Sequence, residues 1–393
     1  MKDSIIIAGA VRTAIGKFGG TLTNVPAVML GKAVIAEALK RANLCGDQVD
    51  EVYMGCVLQA GLGQNVARQA SVAAGIPETV PALTLNNVCG SGLKCVNMAA
   101  AMIAAGEADV IVAGGMENMS QAPYTLESAR FGYRMGNGQF TDTMINDALT
   151  DAFNHYHMGI TAENVAKKYG ITRDMQDSFA LQSQLKCTAA QKGGRFESEI
   201  IGVPVKRKKE TIIFERDEFP REDTTMEKLE KLRPAFMENG TVTAANASGI
   251  NDGAAAVVLM SGRKAAALGV EPMATYIAGA SVGVAPEVMG IGPAYSTKKA
   301  LEKAGCRIGD IDLIEANEAF AAQAIAVGKI LEWNGDIVNV NGGAIALGHP
   351  VGASGCRILV SLLHEMDRRN VKRGLATLCV GGGMGVTTIV ERA

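Results

Sequence analysis

Hydrophobic positions along the chain recur in two rhythms: short continuous apolar runs alternate with stretches in which apolar residues return every three or four positions. Ser4 to Val11 reads as a buried first strand. Leu30, Val34, Ala38 and Ala42 line one face of a helix over 27–42, and Val49 to Met54 reads as a second strand. Thr84 to Val88 predicts a short strand, Leu93 to Ala105 an alanine-rich helix, and Asp109 to Gly115 a strand covered on both faces.

The last third repeats this plan. Ser296 is the expected N-cap of a helix ending at Ala304, Asp312 to Glu315 a strand, and Asn317 to Leu331 a helix. Ile337 to Asn341 reads as a strand, about Gly355 to Arg368 as a helix, and Leu375 to Val380 as a strand running into Gly381-Gly382-Gly383. Both thirds share one signature, from Gly90 to Gly115 and from Ala353 to Gly383: a Gly-Ser-Gly or Ala-Ser-Gly turn, a helix, and a strand ending in glycines. The pattern points to an internal duplication. The stretch between has a different texture, with the basic run Lys206 to Lys209 and a charged run from Glu215 to Arg233. It reads as an insertion from near Glu117 to near Ala247, after which Gly253 to Met260 restores the core as a strand or helix.

With 393 residues the chain has room for two or three lobes, and 48% hydrophobic against 20% charged residues excludes a disordered or fibrous chain. An α/β protein is expected. The net charge of -2 gives no general drive toward nucleic acid or an anionic membrane. No apolar run is read as a spanning helix, Arg12 arrives too early for a signal sequence, and Glu391-Arg392-Ala393 does not resemble a peroxisomal address, so a cytoplasmic protein is expected. Eight cysteines without a C-x-x-C pair fit free thiols rather than disulfides or zinc. Imidazole chemistry is confined to His155, His157, His349 and His364.

Neither G-x-G-x-x-G nor G-x-x-x-x-G-K-[ST] occurs, so nucleotide-binding readings fail. The glycines instead surround three reactive side chains. Cys89 sits where a strand meets a helix, and the helix dipole there favours thiolate; its bland alternative is a small buried hydrophobe. His349, in the glycine-rich stretch Asn341 to Gly355, is the candidate base for Cys89, or else a turn-capping histidine. Cys379 ends a buried strand before three glycines, as a second acid/base or as core. Asn317 opens Asn-Glu-Ala-Phe after a strand, as a site residue or a helix cap. His157 reads as pocket lining, His155 and His364 as loop or helix-surface residues, and Arg221 as a phosphate contact within a solvated charged face.

On three segments, Asn87 to Gly92, Asn341 to Gly355 and Gly374 to Gly385, the chain resembles the thiolases, most closely the short-chain biosynthetic type. The resemblance spans the whole length without departure at a catalytic position. It implies a five-layered α-β-α-β-α sandwich of two duplicated halves: residues 1–118 with 248–271, and 272–393, with a loop domain at 119–247. It implies Cys89 as acylated nucleophile, His349 as its activator and Cys379 as second acid/base. Asn317, through a water, and His349 would form one oxyanion hole, and the N–H groups of Cys89 and Gly381 the other. Leu149, Arg221, Phe236, Ser248 and Phe320 match positions around coenzyme A, and His157, Met158 and Met289 positions lining the acyl pocket. The implied reaction is ping-pong condensation of two acetyl-CoA to acetoacetyl-CoA and CoA, and its reversal, with no metal or organic cofactor. The alternative is a broader-range 3-ketoacyl-CoA thiolase of fatty acid degradation. The same likeness implies a homotetramer, a dimer of dimers, with the Tyr124 to Phe140 loop as an inter-dimer contact. A decarboxylating ketoacyl synthase would carry histidine in place of Cys379, and a non-catalytic lipid-carrier relative would be expected to lack the cysteine or histidine.

Overall fold

Every residue from Asn251 to Ser261 is buried, and its apolar side chains alternate between two separate cores. Val258 and Met260 face one, Val257 and Leu259 the other, so this strand lies within a sheet covered on both sides. The computed structural model describes residues 3–208 and 210–392; Lys209 of the basic run and Ala393 lie outside the described residues.

Nine strands carry the architecture. The first half holds β1 (Ile5–Thr13), β2 (Glu51–Gly55), β3 (Ala82–Leu85), β4 (Val110–Asn118) and β5 (Asn251–Ser261). The second holds β6 (Ala274–Gly283), β7 (Leu313–Ala316), β8 (Arg373–Val380) and β9 (Met384–Glu391). The first sheet runs β3-β2-β4-β5-β1, and the second repeats that order as β7-β8-β9-β6. The two join edge to edge through Ile6–Thr275 and Ile7–Ala274. The second copy of the third strand is reduced to a single bridge from Val338 to Ile314. The expected strand over Ile337 to Asn341 is therefore absent as such: Gly335–Ile337 forms a helical turn, and Asn339 takes a positive φ of 44°.

Helices α1 (Ala27–Arg41) and α2 (Val66–Ala73) cover the outer face of the first sheet. Between the sheets lie α3 (Ser91–Ala105) and, from the other half, α8 (Val351–Arg369). The insertion contributes α4 (Met158–Tyr169) and α5 (Arg173–Lys192), and α6 (Gly292–Ala304) with α7 (Ala321–Leu331) covers the second sheet. The layers are α-β-α-β-α, as expected. Ser296 is not an N-cap, because α6 begins four residues earlier at Gly292 and Pro293 preorganises its first turn. Asn317 lies ahead of α7, and α8 starts at Val351 rather than near Gly355. Val88–Ala105 is apolar enough by length and composition to cross a membrane, contrary to the sequence reading. In the fold this segment supplies α3 of the middle layer, where Leu93, Val96 and Ala99 pack against both sheets' inner faces.

The two middle helices meet backbone to backbone. A Cβ on Gly92 would stand 2.7 Å from the Cys356 nitrogen, and one on Gly355 would collide with the Leu93 nitrogen. The insertion is fastened to β1 by Arg12, whose guanidinium bonds Glu199 at 2.6 Å and Asp217 at 2.8 and 2.9 Å, all buried.

Gly355→Ala should cost about 1–3 kcal/mol through overpacking against backbone that cannot yield. Gly309→Ala, where nothing lies within 4 Å of the added carbon, should stay within about 0.5 kcal/mol. Thermal melting of the two variants side by side checks this.

Candidate active site

The pseudo-symmetry places the reactive groups at equivalent points. Cys89 precedes α3 by two residues, and His349 precedes α8 by two. Because the helices cross near their N-termini, both side chains reach one cavity of about 490 Å³. Cys89 is presented by a strained turn: Val88, a β-branched residue, has φ of 45°, held by its N–H donating to Asn86 Oδ1 (3.0 Å) and its carbonyl accepting from Ser91 Oγ (2.6 Å).

The backbone N–H groups of Gly381 and of Cys89 itself face the sulfur and favour its ionised form, but burial dominates and pushes the thiol up to about 11. The dipole's preference for thiolate is thus outweighed by burial. Cys379, fully buried at the end of β8, is pushed well above the ordinary thiol range by burial first and by neighbouring Cys89 second.

His349 is 5% exposed and pushed down to about 3, by burial first and by the charge of Arg357 second, so it is neutral at working pH. Its Nδ1 lies 2.5 Å from Ser354 Oγ, and that hydroxyl donates to the Pro350 carbonyl at 2.9 Å. Ser354 must then accept from Nδ1–H, which leaves the Nε2 lone pair free as a base. The His349 backbone N–H donates to Asn251 Oδ1 (2.9 Å), and Asn317 Nδ2 stands 3.4 Å from Nε2. Asn317 follows β7 and donates its backbone N–H to the Thr377 carbonyl, beside the end of β8 that carries Cys379.

The cavity is also lined by Leu149, His157, Met158, Arg221, Phe236, Ser248, Met289, Phe320 and Gly381. The eight residues matched to coenzyme A and the acyl pocket therefore converge on it. Asn317 and Cys379 are not on its wall but lie behind it, buried. His157 stacks on Phe236 at 4.6 Å, and Phe236 meets Phe320 edge-on at 6.2 Å. The mouth adds Lys17, Phe18 and Phe219, the last with Arg221 over its ring at 5.7 Å. Nothing in the sequence marks Lys17, in a two-residue strand paired with Asn251, or Phe18 in the turn that follows, which only the fold brings to the mouth.

One buried carboxylate went unread. Glu117, at the end of β4, accepts from the N–H groups of Val57 (3.0 Å), Leu58 (3.1 Å) and Gly352 (2.8 Å), tying the first half to the start of α8. Among the described residues no three His, Cys, Asp or Glu side chains gather where a metal ion could sit.

The family model described as Thiolase, N-terminal domain matches residues 5–263, and that described as Thiolase, C-terminal domain matches 270–392. The chain belongs to the thiolase family. Among its relatives are proteins named acetyl-CoA acetyltransferase from Chromobacterium violaceum, 60% identical over 99% of both chains, and from Escherichia coli K12, 58% identical over 100% of both. The crystal structure of the Bacillus anthracis acetyl-CoA acetyltransferase superposes with a TM-score of 0.98 at 45% identity, covering 100% of this chain and 99% of the other. The thiolase fold and the duplicated sandwich thus agree with the layers described above.

A thiol held near 11 should be alkylated slowly at neutral pH. With iodoacetamide and peptide mapping, the Cys89 rate should climb about tenfold per pH unit through pH 8–10. A plateau already reached by pH 7 contradicts this reading.

Proposed function

We propose that this thiolase is an acyltransferase that condenses two acetyl-CoA to acetoacetyl-CoA and CoA, and catalyses the reverse thiolysis, through an acetyl group on Cys89. The observation that carries the proposal is the pairing in one cavity of a protonated thiol with a neutral imidazole, with two N–H donors aimed at the sulfur. The names of its full-length relatives support the substrate class.

In the first step His349 takes the Cys89 proton as sulfur attacks the acetyl carbonyl, whose oxygen the Cys89 and Gly381 N–H groups receive. The carbon–sulfur bond to CoA breaks, and Cys379 protonates the departing sulfur. In the second step the Cys379 thiolate removes a methyl proton from another acetyl-CoA, while His349 and, through a water, Asn317 stabilise the enolate oxygen. The new carbon–carbon bond expels Cys89, which recovers its proton from His349, so each group ends as it began. This sequence uses no metal or organic cofactor.

The coenzyme A residues are Leu149, Arg221, Phe236, Ser248 and Phe320, with Arg221 at the mouth suited to phosphate. Residues 1–118 with 248–271, 119–247 and 272–393 are the corresponding folding regions. We place the protein in the cytoplasm as a homotetramer without nucleic-acid or membrane partners. Its tetramer contact is the loop based on the short pairing of Tyr124–Thr125 with Thr141–Asp142, where Phe131 is 92% and Met135 95% exposed.

Two variants separate the roles. Cys379→Ala should still acquire acetyl on Cys89, more slowly, while acetoacetyl-CoA synthesis falls about a hundredfold or more. Acid quench and mass mapping with the condensation assay read both; condensation near the parent rate removes Cys379 from the mechanism. Met158, matched by the resemblance to the acyl end of the pocket, lines the cavity beside Gly381. Met158→Ala should therefore raise kcat/KM for a six-carbon 3-ketoacyl-CoA relative to acetoacetyl-CoA, by about tenfold for the methylenes admitted.

A further inference from the structure

Beneath the cavity lie two buried arginines, and the mechanism above uses neither. Arg12 is fully partnered by two carboxylates. Arg357, the one cation among the fifteen buried residues of α8, is not. Its Nη2 donates to Asn317 Oδ1 at 3.4 Å and its Nη1 faces Glu315 Oε2 at 3.6 Å, while Nε and Nη1 have no hydrogen-bond partner among the described residues. A guanidinium kept 1% exposed with so few bonds is costly to stability, and here it points at the two groups that hold the second oxyanion.

We propose that Arg357 is a positioning residue, which fixes the Asn317 amide with its oxygen turned away from the cavity and its NH2 toward His349, and sets a positive charge beneath the imidazole. The inference rests on the reading of His349 and Asn317 as catalytic groups.

An amide fits its cavity equally well either way round, and only the partners on its two sides choose. Arg357 is donor-only, so Oδ1 must face it. The NH2 then turns to Nε2, whose lone pair is free because Ser354 engages Nδ1–H. With the amide reversed, Oδ1 would face that lone pair, an arrangement relieved only by a proton on Nε2. The result is the Nε2–H tautomer, with Ser354 Oγ turned to donate to Nδ1, or an imidazolium, and neither can accept the Cys89 proton at Nε2. The charge of Arg357 acts in the same direction, disfavouring imidazolium. Around Arg357 stand Glu315 on β7, Glu318 just after it, Glu199 beyond α5 and Arg12 on β1, with Glu365 of α8 near Glu315. Burial pushes Glu315 up to about 8, so at neutral pH it cancels less of the guanidinium charge than an ionised carboxylate at that distance would, with Glu199 and Glu318 offsetting a further part.

The test compares Arg357→Met, Arg357→Lys and Glu315→Gln by steady-state kinetics and by nitrogen-15 NMR of the imidazoles, of which the chain has only four. In Arg357→Met, kcat should fall at least about tenfold with KM for acetyl-CoA within about twofold. His349 should leave the Nδ1–H tautomer and titrate at a higher pH than in the parent, carrying the acid limb of kcat/KM upward with it, while burial still holds it below a free imidazole. Arg357→Lys restores charge without the planar fork, so His349 should stay neutral while kcat recovers only in part. Glu315→Gln leaves the guanidinium in place and should keep the His349 tautomer and activity within about threefold. A folded Arg357→Met with unchanged kcat and unchanged His349 signals overturns the proposal. If that variant does not fold, Arg357→Lys decides: full activity overturns it. His349→Ala and Asn317→Ala are run in parallel. If they retain activity, the catalytic reading of those residues fails, whereas the NMR of Arg357→Met still judges the positioning.

Discussion

The close crossing of α3 and α8 is the constraint on which the site depends. Gly92 and Gly355 let the helices touch backbone to backbone, and a side chain at either would force the N-termini apart. Cys89 and His349 each stand two residues outside those N-termini, so separation of the helices becomes separation of the proposed nucleophile and base. Glu117 fixes the same junction from the sheet side through the Gly352 N–H. The Gly-Ser-Gly and Ala-Ser-Gly signature is thus a packing device first, and its repetition is what gives two halves one cavity.

The second governing effect is dryness. A helix N-terminus offers a thiolate at most about 2 kcal/mol. Moving Cys89 up to about 11 reflects a net opposing effect of roughly 3 kcal/mol, and lowering His349 to about 3 one of roughly 5 kcal/mol. Burial therefore wins over the dipole, and the resting pair is uncharged. In the proposed mechanism such a pair separates charge only when a substrate carbonyl arrives to receive it, and the N–H donors of Cys89 and Gly381 then act at full strength in a medium that screens little.

Much of this was legible in the chain. Alternating apolar runs gave the strands of both halves, and glycine turns beside Cys89, His349 and Cys379 marked three reactive positions that the fold gathers at the carboxyl ends of strands and the starts of helices. The errors have local causes. Ile337 to Asn341 has strand composition, yet it occupies a sheet edge where Val338 alone pairs and Asn339 turns left-handed. Asn317 suits a helix cap by type, but its backbone is engaged by Thr377 and the helix begins four residues on. Arg357 could have been noticed, as the one cation in the run from Val351 to Leu363. Glu117 could not, since its partners are backbone N–H groups distant in sequence.

The Arg12 ion pairs bear on how substrate enters. They bury one cation and two carboxylates at the root of the insertion, and losing the cation would strand both carboxylates at a cost of about 3–5 kcal/mol. Those bonds hold the insertion against β1 at Glu199 and Asp217. In the proposed ping-pong cycle the two substrates share the same cavity, whose insertion side includes Leu149, Arg221 and Phe236. On that proposal departing CoA and the incoming second thioester occupy the same space in turn, so accumulated CoA is expected to slow condensation by occupancy alone.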